Sequence, residues 1–219
     1  MATEILDARA PGRVPVVERP DGPTGRGPLV HGDDGGGGPN FVFDPAQFGL
    51  WAFLGTVSML FIGFTSAYIV RRTGIDWRPL PLPRLLWWNT AALLLSSAAL
   101  EVARRRRAAL DLRGLRLWLG ATALLAGLFV AGQFQAWRVL RALGFFLSSN
   151  PHSSFFYMLS GVHLLHLGGG LVWFALVLYR LRGPRYAPAA GGRTLSLFAT
   201  YWHFLGLLWV YVLFLIFVF

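Results

Sequence analysis

The chain has 219 residues, of which 55% are hydrophobic and 14% charged, with a net charge of +10 and a mean hydropathy of +0.52. An average soluble domain is about 25% charged, and a soluble fold of this length could not hide so much apolar surface, so the composition points to lipid. Cysteine is absent, which excludes disulfides, thiolate metal sites and thiol chemistry; lysine is absent too, which excludes a lysine Schiff base.

The charge is unevenly placed. Residues 1–46 carry seven acidic residues and four arginines, whereas the remainder carries sixteen arginines against Asp76, Glu101 and Asp111. A pI near 11.3 is also a mark of nucleic-acid binders, but these arginines flank apolar stretches and form no separate basic face. They read as residues at headgroup depth, with no nucleic-acid partner.

In chain order, residues 1–44 form a Pro/Gly-rich tail (PDGPTGRGP, then GDDGGGGP) without apolar periodicity. It buries too little to offset its ordering entropy and is expected to be disordered. No apolar core follows a basic start, so it does not read as a signal peptide. Residues 45–219 form an all-α integral membrane domain with five spans, near 46–70, 84–103, 115–140, 154–180 and 195–219. Each is long enough to cross ~30 Å of hydrocarbon with some tilt. The second follows a PLPLP run that cannot be helical, and Trp77, Trp87, Trp88, Trp118 and Trp137 lie near span ends as an aromatic belt would.

Arginine bias sets the orientation. Loops 71–84 and 138–153 carry six arginines; the opposite side carries ten, including the run Arg104 to Arg107. The second side is therefore expected to be cytoplasmic, with the N-terminus inside and Phe219 outside. No internal repeat of the kind that builds inverted-repeat transporters is visible.

Inside the spans, polar groups are few. No Asp or Glu occurs after Asp111, and only Glu101 touches a span, at its end. A proton or cation transporter acting alone would lack its carboxylate. His163 and His166 are three apart and share a helix face, while Gly161 and Gly168 fall on the opposite face, where small residues let a helix approach closely. These imidazoles either hydrogen-bond across helix interfaces or bind haem together with His203. Counting along the helices puts His166 about 21 Å and His203 about 12 Å from the same membrane face, a mismatch that disfavours a shared haem. No third ligand sits at zinc spacing. His152 and His31 are expected to be solvated. Asn89, Thr90, Ser96 and Ser97 in the second span, and Gln133 and Gln135 in the third, read as interhelical hydrogen-bonding groups.

Four segments, in order, resemble one known family. These are GLWAFLGTVSMLF with SAYIVRR (49–61 and 66–72), WNTAALLLSS (88–97), SSNPHSSFFYMLSGVHLLHLGGG (148–170) and TYWHFLGLLWVYVLF (200–214). They resemble subunit III of the haem-copper oxidases, the cytochrome c and quinol oxidases of respiratory chains, in its short five-helix form. The terminal signature of that family is matched by Tyr201, Trp202, His203 and Phe204. Three departures stand out: Thr56 and Val57 replace a Ser-Glu pair, Gly206 replaces an aspartate, and a glutamate upstream of the signature is replaced near Ser196.

The resemblance implies a non-catalytic integral subunit packed against subunit I, and joined through the complex to subunit II, in a bacterial-type inner membrane. It implies a helix bundle split by a lipid-filled cleft, no catalytic or metal-binding residue in this chain, haem and copper in the partner, and bound phospholipid. Such a subunit supports oxygen reduction and proton uptake by the complex. His163, His166, His203, Tyr201, Trp202, Asn89, Ser96, Ser97, Gly161 and Gly168 then become structural, interhelical residues. Arg71, Arg182 and Arg193 are expected at lipid headgroups, each worth about 1 kcal/mol. The alternatives are a bis-histidine b-type membrane cytochrome and an accessory protein of a nitric oxide reductase.

Overall fold

The computed structural model describes residues 44–77, 80–182 and 188–218; the side chains of 180–191 lie outside that description, as does the N-terminal tail apart from Asp44. Five helices follow one another: α1 (Pro45–Arg72), α2 (Leu85–Ala108), α3 (Leu112–Ala142), α4 (Pro151–Arg182) and α5 (Pro188–Val218). All five are long and apolar enough to cross a bilayer, and the chain is an integral membrane protein.

The helices outrun the apolar stretches that predict them, for local reasons. Asp44 caps α1, accepting from the Ala46 amide at 3.0 Å, and Pro45 takes the first helical position, where no amide is needed. α2 continues through its arginine run, because arginine is a good helix former and favours the negative end of the helix dipole. α4 starts at Pro151 behind a reciprocal cap: Asn150 Oδ1 accepts from the Ser153 amide at 3.1 Å and Ser153 Oγ accepts from the Asn150 amide at 3.3 Å.

Two helices end in the same motif with different residues. After α3, Gly144 (φ 85°) takes the left-handed position, with Phe145 N–H to Leu140 O and Gly144 N–H to Arg141 O both at 3.0 Å. After α2, the equivalent position is Leu110 (φ 58°), with Asp111 N–H to Arg106 O and Leu110 N–H to Arg107 O, again at 3.0 Å. A leucine there is strained, since its Cβ crowds the following carbonyl. Asp111 at once caps α3, accepting from the Gly114 amide at 2.9 Å, so α2 and α3 form a tight antiparallel hairpin.

That hairpin is the most extensive helix pair. α5 is the hub, packing on α4, α2 and α1; among the described helices α1 packs on α4 and α5, and α3 touches α4 lightly. The core runs through the hub, where Trp202, Trp209, Phe198, Phe61, Phe129 and Phe156 are fully buried. Large apolar side chains on the outside, such as Leu60, Ile62, Leu94, Leu117 and Leu165, face where lipid would be. One end of the bundle gathers Asp44, the α2 arginines and the start of α5. The other holds the 73–84 loop and the start of α4.

Candidate functional site

The polar interior begins as a ladder between α2 and α5. Trp202 Nε1 donates to Ser96 Oγ at 2.9 Å, and Trp209 Nε1 donates to Thr90 Oγ1 at 3.0 Å. Each hydroxyl passes its own proton back along α2, Ser96 to Leu93 O at 3.0 Å and Thr90 to Leu86 O at 2.8 Å. Both hydroxyls are therefore used as donor and acceptor, which a dry helix interface demands. Gly206 sits between the two tryptophans in sequence and faces Ser97: a Cβ there would lie 3.4 Å from Ser97 Oγ. On the other side of α2, the Asn89 amide fills the space a side chain at Gly132 of α3 would take.

The three membrane histidines face three different neighbours. His163 is fully buried, 5.0 Å (centroid to centroid) from Trp209 and edge-on to Phe129 of α3 at 6.0 Å. His166 turns toward α1, near Phe53 at 6.2 Å and Phe61 at 6.3 Å, and its Nδ1 lies 2.8 Å from Val162 O on its own helix. His203 turns toward α2, its Nε2 3.9 Å from Glu101 Oε2. A haem clasped between α4 and α5 needs two imidazoles looking across one gap. Here His163 and His203 diverge, and His166 is occupied on the α1 side.

Tyr201 and Trp202 join α5 to α4. The Tyr201 hydroxyl donates to His166 O at 2.8 Å. Gly170 makes the approach feasible, because a Cβ on it would come within 2.9 Å of Tyr201 Cε1 and 3.3 Å of Trp202 Cζ3. The small-residue contact on α4 is thus at Gly170. Gly161 and Gly168 have open space where a Cβ would go, so among the described residues no helix packs closely on them. The spacing identified a small-residue face, but α4 turns that face outward.

Glu101 is shared by several partners at the arginine-rich end. Arg104 Nη1 reaches it at 2.8 Å and Arg105 Nε at 3.8 Å, while Arg104 Nη2 donates to Ser196 Oγ at 3.3 Å. At the same end Arg193 pairs with Asp44, tying the start of α5 to the start of α1. At the opposite end Arg71 pairs with Asp76 at 2.5 Å, and this hydrogen bond is the main cause holding the Asp76 carboxyl below the usual carboxylate range. Arg71 also borders an open groove of about 890 Å³ between the end of α1 and the start of α4. The Arg182 side chain lies outside the described residues.

His152 is not solvated. Because α4 starts at Pro151, His152 falls in its first turn, 5% exposed, with Trp77 stacked on its ring at 4.8 Å. Its Nδ1 accepts from the Leu80 amide at 3.1 Å and its Nε2 lies 3.4 Å from the Tyr68 hydroxyl. This ring pins Trp77 and Leu80 of the α1–α2 connection to the bundle. A tryptophan near a span end and a histidine just ahead of the fourth span were visible in the sequence; their pairing across some 75 residues was not. Trp137, whose Nε1 donates to Ser160 Oγ at 3.1 Å, is a second such case, an expected belt residue that bonds inward. At the family's Ser-Glu position, Val57 is buried and Thr56 is exposed, its hydroxyl bonded to Ala52 O at 3.0 Å.

These features are what a chain uses to hold helices together: indole–hydroxyl bonds, a glycine-aided crossing, two imidazoles set among aromatic rings and a third beside a carboxylate. Among the described residues, no three His, Cys, Asp or Glu side chains gather as a metal-ligand set. Comparison with known proteins agrees with the motif order. Cytochrome c oxidase subunit 3 of Synechocystis sp. is 32% identical over 179 residues, covering 80% of this chain and 76% of that protein. Probable cytochrome c oxidase subunit 3 of Nocardia farcinica is 31% identical over 177 residues, covering 78% and 85%. Cytochrome c oxidase subunit 3 of Thermostichus vulcanus is 29% identical over 174 residues, with the same coverage. The family model described as cytochrome c oxidase subunit III matches residues 36–219, and the chain belongs to that family.

Proposed function

We propose that this chain is the non-catalytic third subunit of a respiratory haem-copper terminal oxidase. It packs against subunit I, and haem and copper reside in the partner. It holds phospholipid along its outer faces and supports oxygen reduction and proton uptake by the whole complex. The observation that carries this reading is the family match over residues 36–219. The divergence of the three imidazoles, each engaged at a separate interface, supports it from the geometry. The excess of arginine at one end supports a bacterial-type inner-membrane protein with that end cytoplasmic and the end of α5 outside.

The test is a tagged chain drawn from native membranes in mild detergent, with a visible spectrum taken at each step. A haem-copper subunit should co-purify, and the Soret band should leave with it when the complex is dissociated. His203→Ala should leave that spectrum unchanged. A chain that purifies alone and haem-loaded would overturn the assignment. Orientation has its own test, because the chain has no native cysteine: Thr73→Cys should react with an impermeant maleimide on intact cells, and Leu110→Cys only after lysis.

A further inference from the structure

Three polar side chains meet inside the bundle without serving one another. Asn89 of α2, Gln133 of α3 and His163 of α4 are 4%, 0% and 0% exposed. Among the described residues, no hydrogen-bond partner reaches Asn89 Nδ2, either end of the Gln133 amide or either ring nitrogen of His163. Ser97 Oγ shares that condition, but it needs only a turn of its hydroxyl toward a carbonyl of its own helix. Five atoms on three helices remain.

A closed circuit of contacts brings them together. Thr90, next to Asn89, accepts from Trp209 of α5 at 3.0 Å. The Trp209 ring lies 5.0 Å from His163 and 5.1 Å from Phe129, and Phe129 is edge-on to His163 at 6.0 Å. Phe129, Gln133 and Trp137 follow at four-residue intervals on one face of α3. Phe129 meets His163 and Trp137 Nε1 bonds to Ser160 Oγ, so Gln133, between them, is set against the Ser160–His163 turn of α4. The neighbouring Gly132 receives the Asn89 amide. The hydroxyls bordering the circuit are each used already as acceptor and donor: Thr90 for Trp209 and Leu86 O, Ser160 for Trp137 and Phe156 O.

We infer that water is bound at this place, in hydrogen-bond contact with Asn89, Gln133 and His163. Polar atoms left without partners in a dry interior are too costly to persist. With His163 neutral, the five atoms are three donors (Asn89 Nδ2, Gln133 Nε2 and one ring nitrogen) and two acceptors (Gln133 Oε1 and the other ring nitrogen). They do not pair off one to one, whereas a single water accepts two bonds and donates two and can serve four of them. The three side chains carry no charge, so an ion there would have no counter-charge from them. Asn89 lies about one turn inside the start of α2, so the shorter way in is from the end of the bundle where α2 begins.

The test is hydroxyl-radical footprinting by X-ray pulses in heavy-oxygen water, on the full chain with whatever accompanies it in mild detergent. Radicals made from a bound water mark the side chains beside it, and dry positions stay unmarked. The fold supplies two matched pairs. Trp209 and Trp202 are buried indoles bonded to α2 hydroxyls, and Phe129 and Phe198 are buried phenyl rings. Trp209 and Phe129 should take up the label, and Trp202 and Phe198 should not. Gln133→Leu, close in size but without polar atoms, should bring a loss of label at Phe129 and Trp209 and no gain at Trp202 or Phe198. Equal labelling within each wild-type pair would overturn the inference, because it is the result of a dry interior in which Gln133 and His163 bond directly. Label retained in full at Phe129 and Trp209 of Gln133→Leu would overturn it too. Should the leucine variant fail to assemble, the wild-type comparison decides by itself.

Discussion

Replacing Ser96 with alanine should cost more than a serine-to-alanine change in a membrane span ordinarily does. The hydroxyl is the acceptor for the Trp202 indole at 2.9 Å, and both residues have no solvent exposure. The substitution removes one interhelical bond, worth about 0.6 kcal/mol on average and at most about 1.7. It also leaves a buried indole N–H without a partner, at about 1–3 kcal/mol. A loss near 2 kcal/mol is expected. Trp202→Phe differs in kind, because Ser96 keeps its bond to Leu93 O and the penalty is lost packing. In Ser96→Ala/Trp202→Phe no orphan donor remains, so the double variant should be destabilised by less than the two single effects combined, with a coupling of about 2 kcal/mol. Equilibrium unfolding of the full chain in mixed micelles with increasing SDS measures each corner of the cycle. If Ser96→Ala stays within about 0.3 kcal/mol of wild type and the cycle shows no coupling, the α2–α5 ladder does not stabilise the bundle and the reasoning fails.

Other sites give sharper contrasts. Gly170→Ala should destabilise by about 1–3 kcal/mol through overlap with Tyr201 and Trp202, whereas Gly161→Ala and Gly168→Ala, with open space at their Cβ positions, should be neutral or gain up to about 1 kcal/mol in helix propensity; equal effects at the three positions would refute the packing. Leu110→Gly should raise stability by about 1 kcal/mol by relieving the left-handed leucine, and a loss would contradict it. The folded Asp76 pKa lies below its unfolded value, so the contribution of the Arg71 pair is present above the unfolded pKa and is lost as pH falls through the folded one; a carboxyl-carbon NMR titration should show the low midpoint, and Arg71→Gln should return it to the ordinary range. His152→Phe should speed amide exchange at Leu80, while His152→Asn, whose amide oxygen can replace Nδ1 as acceptor, should restore protection.

The spans were legible because the bilayer selects for long apolar runs whatever the neighbouring helix; of the polar groups expected to bond between helices, Ser96 and Thr90 do so, whereas Ser97 Oγ, Asn89 Nδ2 and the Gln133 amide are buried with no hydrogen-bond partner among the described residues. Which neighbour each group meets was not legible. Gly161, Gly168 and Gly170 are all small, and only the rotation of α4 about its axis decides which of them faces α5. The same rotation sends His163 to Trp209 and His166 to α1, although three-residue spacing put them on one face. That face is wide enough to border two neighbours. His152 shows the other limit: its burial comes from Trp77, supplied by a loop that carries no periodic signal of its own.

The hub position of α5 has a consequence for how the protein is made. α2 and α3 are neighbours in sequence as well as in space and can pair as soon as both have left the ribosome. α1 has no such companion: its contacts are with α4 and α5, so it must wait in the lipid while three further helices are inserted. A ribosome stalled before α4 would thus leave a loose hairpin and one unattached span, the kind of intermediate that membrane quality-control proteases remove.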